Sequence, residues 1–253
     1  DVPDLHDLFG IAFEKAYVAY EQKAERGEIK PSKTIPATDL WRKMLSMLFE
    51  TGHPWITFKD PCNVRSPQQH VGVVHSSNLC TEIIEYTSPD ETAVCNLGSL
   101  ALPKFVKDGR FDFEELRKYT AILARNLDIV VDKTYYPTEK CRTSNLRHRP
   151  IGIGVQGLAD VFMMMDIPFH SEEARVLNRE IFETIYYSAL KASMTLAARY
   201  GTYETFAGSP ASEGILQFDM WGVEAQELCR AEEFSVRKTG RDFYGISLHR
   251  HPV

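Results

Sequence analysis

Apolar residues recur at helical spacing along much of this chain. Leu8, Ile11, Ala12, Ala16 and Ala19 fall three or four positions apart, which predicts a helix over residues 5–23 ending before Gly27. Residues 31–36, bounded by prolines, read as a linker. Thr38 or Asp39 then caps a second predicted helix through Trp41, Met44, Leu45 and Leu48, stopped by Gly52 and Pro54. Asp112 and Glu115 make a D-x-x-E start for a helix reaching about Asp132. Ser171 opens the longest predicted helix, to about Tyr200, with Leu177, Ile181 and Ile185 on one stripe and Gly201 as its stop. Each apolar stripe is expected to face a core.

Shorter stretches carry the extended pattern. HVGVVH (70–75), LCTEIIEY (79–86) and TAVCNL (92–97) read as strands, and TSPDE (87–91) reads as the turn between the last two. Few strands among long helices predict a helix-rich α/β fold. No internal repeat or low-complexity segment interrupts the pattern.

Composition narrows the function classes. The 253 residues are enough for one large or two modest domains, and 43% apolar with 25% charged residues is ordinary for a globular protein. A net charge of -6 implies no basic face, so no nucleic-acid partner is expected. The most basic stretch, 142–149 within CRTSNLRHRP, suits one anionic ligand at most and reads as a solvated loop. No window approaches the roughly 18 apolar residues of a membrane helix, so no membrane partner is expected. The start, DVPDLHDLFG, lacks the basic and apolar regions of a signal peptide and an initiator Met, as a processed terminus or a piece of a longer chain would. Five cysteines without a CxxC argue against a disulfide scaffold or zinc ribbon and fit a reducing, cytoplasmic setting.

Two further patterns carry candidate chemistry. IGIGVQGLAD spells G-x-G-x-x-G through Gly152, Gly154 and Gly157, but a dinucleotide site needs an apolar strand before it, and NLRHRP is a poor one. The glycines are better suited to a tight strand-to-helix turn. The histidines lack HExxH spacing, His148 lies among arginines, and no metal site is expected.

The sharpest signal is SSNLCTEIIEYTSPDETAVCNLGSL (76–100). On a strand, residues two apart share a face at about 6.5 Å. Asn78, Cys80 and Glu82 would then present an amide, a thiol and a carboxylate together. The same spacing also describes a half-buried cysteine between two solvated polar neighbours, and spacing alone favours that plainer reading.

That segment resembles the active-site segment of the large, catalytic subunit of class I ribonucleotide reductase. The flanks FETGHPWITFKDPCN, YYPTEKCRTSNLRHRPIGIGVQGLADVF and YETFAGSPASEGILQFDMW resemble the same subunit in the same order. The resemblance covers roughly residues 5–223 and implies part of the ten-stranded α/β barrel of ribonucleotide reductases. It implies a partial catalytic barrel domain over 1–223 and an unmatched tail over 224–253. Cys80 matches the cysteine whose thiyl radical takes hydrogen from C3' of the ribose, and Glu82 the base for the 3'-hydroxyl proton. Asn78 matches the amide that orders the sugar hydroxyls, with Ser77 beside it as a substrate-binding residue. Cys95, fifteen positions on (95 − 80), matches one of two reducing thiols.

The implied substrate is a ribonucleoside diphosphate. The implied partners are a separate metal-containing small subunit that generates the radical, and thioredoxin or glutaredoxin as electron source. No cofactor is expected to be bound by this chain itself. The second reducing cysteine, the substrate's phosphate-binding loop, the radical-relay tyrosines and the effector domain have no counterpart in this sequence. The isolated chain is therefore expected to be inactive, working with missing pieces of the large subunit or serving only as an assembly piece.

Overall fold

The computed structural model describes residue 2 and residues 4–222, and the tail over 224–253 lies outside the described residues. The chain divides into two compact units, residues 1–87 and residues from Ser88 onward.

The first unit holds a short 3-10 turn (Leu5–Asp7), α1 (Gly10–Glu25), α2 (Ala37–Thr51) and α3 (Lys59–Val64). The helix expected over 5–23 begins later, because Leu8 and Phe9 are extended and break the backbone pattern. The α1 start is fixed from far along the chain: the Gly10 amide donates to Asp60 Oδ1 at 2.9 Å, filling one of the donors that a helix start leaves open. Helix α2 starts at Ala37 behind Pro36, so neither Thr38 nor Asp39 caps it; it ends at Gly52 as expected. The expectation that both stripes face a core fails here. No residue of α1 or α2 is buried, and Trp41 and Phe49 are 49% and 93% exposed. Among the described residues of this unit, Asn63, Ser66 and Val74 are buried, none of them on these helices.

The second unit carries the core. Strand β1 (Leu97–Ala101) leads through a hairpin, β2 (Val106–Lys107) and β3 (Arg110–Phe111), into α4 (Phe113–Lys133) and α5 (Glu139–His148). Strand β4 (Gly152–Gln156) then pairs in parallel with β1, with Leu97 opposite Gly152 and Ala101 opposite Gln156. A parallel pair with helices in the connection is the repeating unit of α/β architecture, as the pattern predicted. Helices α6 (Leu158–Met164), α7 (Glu172–Tyr200) and α8 (Gln217–Met220) follow. Here the predicted starts hold: Asp112 accepts from the Glu115 amide at 3.0 Å, and Ser171 Oγ from the Ala174 amide at 3.0 Å. Leu177, Ile181 and Ile185 of α7 lie in one buried cluster with Leu100, Leu116 and Val161.

The glycine-rich stretch is itself strand β4 rather than a loop after a strand, and α6 follows at once. Gly157 sits at the turn with φ of +79°, and a Cβ there would lie 2.6 Å from the Pro103 ring. A left-handed backbone and a close neighbour both require glycine at this turn, as the sequence suggested.

The basic stretch 142–149 is not the solvated loop expected of it. It is the body and end of α5, and its last arginine is in the interior. Arg149 is 1% exposed and donates to Asp128 Oδ1 at 2.7 Å and to Asp132 Oδ1 at 2.8 Å, two acids one turn apart on α4. Burial alone would lower its affinity for a proton, but the two carboxylates outweigh that and hold it charged. Beside it, His148 Nε2 meets Glu91 Oε2 at 2.6 Å, and Arg147 bonds both Glu91 and Glu204. Acids far off in sequence, which no local pattern reveals, turn a basic run into an internal ion-pair network.

Candidate active site

Residues 70–87 form an ordered excursion from the first unit, and none of the strand pairing expected over 70–75 or 79–86 is present. The reason lies in what satisfies the backbone. The buried side chain of Asn63 takes the place of a neighbouring strand: its Oδ1 accepts from the Val74 amide at 2.8 Å and its Nδ2 donates to the Val74 carbonyl at 3.0 Å. Gln68 Oε1 accepts from the Tyr86 amide at 2.7 Å in the same manner. The two arms of the excursion then close on each other. Gly72 lies against the Tyr86 ring, where a Cβ would come within 2.4 Å of Cε2. His75 Nδ1 meets Thr87 Oγ1 at 3.2 Å.

At the tip, the Thr81 amide donates to the Asn78 carbonyl at 3.1 Å, which makes residues 78–81 a β-turn with Leu79 and Cys80 at its centre. Thr81 takes a left-handed φ of +68°. The alternating strand face expected for Asn78, Cys80 and Glu82 is therefore replaced by a turn. The turn still brings the amide and the carboxylate together: Asn78 Nδ2 donates to Glu82 Oε1 at 2.7 Å. Asn78 Oδ1 accepts from the Ile83 amide at 3.1 Å, so the side chain braces both ends of the tip. Cys80 is an exposed free thiol on the turn that links its two neighbours. Ser77 Oγ donates to the Asn78 carbonyl at 3.1 Å.

A hollow of about 530 Å³ opens on this unit, lined among others by Trp55, Cys62, His75, Ser77, Asn78 and Ile84. That volume lies within the range of small-ligand clefts. Ser77 and Asn78 line it, whereas Cys80 and Glu82 do not. Further along the loop, burial pushes the Glu85 carboxyl up to about 7.

Cys95 belongs to the second unit, where it is exposed just before β1. Its neighbour Asn96 is buried and donates to Asn145 Oδ1 at 2.6 Å and to the Pro150 carbonyl at 2.9 Å, which anchors the backbone beside the thiol. The organising residues that the sequence reading passed over are Asn63, Gln68 and Tyr86. Their partners lie 11 and 18 positions away, so neither helical nor strand periodicity marks them.

Comparison with known proteins covers most of the chain. A family model for the ribonucleotide reductase barrel domain matches residues 1–244. The ribonucleoside-diphosphate reductase large subunit of Arabidopsis thaliana is 53% identical over 243 residues, covering 88% of this chain and 29% of that protein. The large chain of Cryptosporidium parvum is 55% identical over 221 residues, covering 87% of this chain and 27% of its own. Among solved structures, the Actinobacillus ureae class Id ribonucleotide reductase alpha subunit superposes with a TM-score of 0.56 at 34% identity, covering 66% of this chain and 33% of that one. The chain thus spans somewhat over a quarter of the length of these curated relatives. With a parallel β-α-β core and a motif-bearing loop in place, this chain belongs to the ribonucleotide reductase barrel-domain family.

Proposed function

We propose that this chain is a catalytic portion of a ribonucleoside-diphosphate reductase large subunit, with residues 1–223 as its part of the barrel and 224–253 as an appended tail. In this reading it supplies the sugar-facing residues that convert ribonucleoside diphosphates to deoxyribonucleotides for DNA synthesis. The observation that carries it is the 2.7 Å hydrogen bond from Asn78 to Glu82 across a turn that leaves the Cys80 thiol exposed.

The chemistry explains why these three groups belong together. The ribose 2'-hydroxyl is a poor leaving group on an unactivated carbon. A Cys80 thiyl, generated by a separate metal-containing small subunit, takes the hydrogen atom from C3' and becomes a thiol. Glu82 accepts the 3'-hydroxyl proton, a general-base task, while Asn78 and Ser77 hold the sugar hydroxyls. A thiol of the reducing pair gives a proton to the 2'-hydroxyl, which then leaves as water. Two electrons come from a thiol pair that closes to a disulfide, with Cys95 as one member, and Cys80 returns its hydrogen atom to C3'. Thioredoxin or glutaredoxin reopens the disulfide by thiol exchange.

The rest of the large subunit supplies the phosphate grip and the second reducing thiol, so the chain alone is inactive in this reading. The small subunit and those missing pieces are its working partners, and the cytoplasm its setting. The test is reconstitution with a large subunit from which the matching segment has been deleted, together with a radical-generating small subunit and a dithiol. Deoxyribonucleotide formation should appear with the wild-type chain and fall to background with Cys80→Ser. Glu82→Gln should lower the rate by about 10²–10⁴-fold, the usual contribution of a positioned acid or base. Full activity in Cys80→Ser, or turnover by the chain with the small subunit alone, would refute the respective part.

A second reading, an assembly piece without catalysis, draws on the exposed apolar faces of α1 and α2. In that case the reconstituted complex would form equally well with Cys80→Ser and make no product with either chain.

A further inference from the structure

The histidines that the sequence set aside include two that the fold brings together. His6 and Asp7 lie on the 3-10 turn near the start of the first unit, and His75 lies on the arm that leads into the Ser77–Asn78 tip. Asp7 and His75 are 68 positions apart, so no spacing motif could have flagged them. His75 Nε2 is 2.7 Å from Asp7 Oδ1, and His6 Nε2 is 3.5 Å from the same oxygen. The three donor atoms all fall within 4.8 Å of one another, and among the described residues this is the one such cluster of three.

We propose that His6, Asp7 and His75 form a divalent-metal site that takes Zn²⁺, pinning the 3-10 turn to the loop that carries Asn78 and Cys80. The distances suit the ion. Zinc binds imidazole nitrogen and carboxylate oxygen at about 2.0–2.2 Å in tetrahedral geometry, which puts neighbouring ligand atoms about 3.3–3.5 Å apart. The observed 2.7 and 3.5 Å bracket that separation, so small side-chain rotations accommodate the ion. Two imidazoles with one carboxylate and no thiolate favour zinc over softer ions, and hard oxygen-seeking cations such as Ca²⁺ or Mg²⁺ are disfavoured.

A second feature belongs to a metal site. A ligating histidine needs its other ring nitrogen held by an outer partner, which fixes tautomer and ring orientation. Thr87 Oγ1 sits 3.2 Å from His75 Nδ1 and fills that place, directing Nε2 towards Asp7 and His6. The other side of the cluster is anchored as well. Lys59 Nζ donates to the His6 backbone carbonyl, not to a ligand atom, and so ties the turn to α3. Three protein ligands leave a fourth position for water. The metal serves to order the loop, and its ligand His75 also lines the hollow beside Ser77 and Asn78.

The test is titration of the full metal-free chain with Zn²⁺ by calorimetry, and with Co²⁺ as a spectroscopic substitute. One equivalent should bind, give tetrahedral Co²⁺ bands in the visible, and show no thiolate-to-metal charge-transfer band in the near ultraviolet. His6→Ala, Asp7→Asn and His75→Ala should each weaken binding at least about tenfold, and Thr87→Val by a smaller factor. His170→Ala and the double variant His249→Ala/His251→Ala should bind as wild type. Zinc should raise the melting temperature of wild type and not of His75→Ala, since a ligand that binds only the folded state stabilises it. Thiolate bands, binding that survives His6→Ala and His75→Ala, or binding lost in the His249→Ala/His251→Ala variant would each overturn the proposal. So would absence of binding at 100-fold molar excess of metal. All of these readouts are independent of reductase activity, so failure here leaves the functional reading untouched.

Discussion

Glu85 and Arg149 show how one residue's surroundings set its cost or value. The Glu85 carboxyl is pushed up to about 7 by burial. A folded-state value raised above the unfolded one means stability is fully present below the unfolded value near 4.5 and is lost as pH rises towards 7. Glu85→Gln should therefore flatten the pH dependence of the first unit between about 4.5 and 7. At pH 8 it should stabilise that unit by no more than about 3 kcal/mol, as a shift of this size allows. Denaturant melts of both proteins at pH 5 and pH 8 measure this, and an equal loss of stability on raising pH in the variant would exclude it. Arg149 is the opposite case, a buried charge whose two acidic partners compensate its desolvation. Arg149→Met strands Asp128 and Asp132 beside it and should destabilise the second unit by about 3–5 kcal/mol. Restoring balance with Asp128→Asn and Asp132→Asn should recover much of that loss.

At the scale of elements, caps and turns separate what sequence reveals from what it hides. The α4 and α7 starts were legible because Asp112 and Ser171 act on amides three positions away. The α1 start was not, because its capping group is Asp60, fifty positions on. Between β4 and α6 the constraint is again local. Gly157→Ala forces a Cβ into a left-handed backbone and to 2.6 Å from Pro103. A loss of about 1–3 kcal/mol should follow, visible as a lower denaturation midpoint with an unchanged slope. The candidate site failed as a strand for a related reason. LCTEIIEY has strand-like residues, but a strand needs a partner, and side chains instead hold two of its amides: Asn78 takes that of Ile83 and Gln68 that of Tyr86. The alternation argument placed Asn78, Cys80 and Glu82 on one strand face; a turn, not a pleat, instead joins Asn78 to Glu82.

For the whole molecule, the two units differ in how their apolar surface is used. The second unit buries a continuous cluster from Leu100 to Ile185, whereas α1 and α2 of the first leave their stripes open. Exposed apolar faces of this kind drive association. The chain should self-associate with rising concentration, and Trp41→Ser with Phe49→Ser should shift it towards monomer in light scattering behind size exclusion. An unchanged mass distribution in the double variant would show that these faces do not drive association.

The sequence by itself determined α4 and α7 of the second unit, the stripe of α7, the glycine turn into α6 and the family motif around Cys80. All of these rest on interactions within a few positions or on residue order itself. Tertiary structure decided the rest: the buried ion pairs of 147–149, the cap of α1, the turn that joins Asn78 to Glu82 and the meeting of His75 with Asp7. Each depends on a group brought from a distance by folding, and a one-dimensional pattern carries no record of which distant group will arrive.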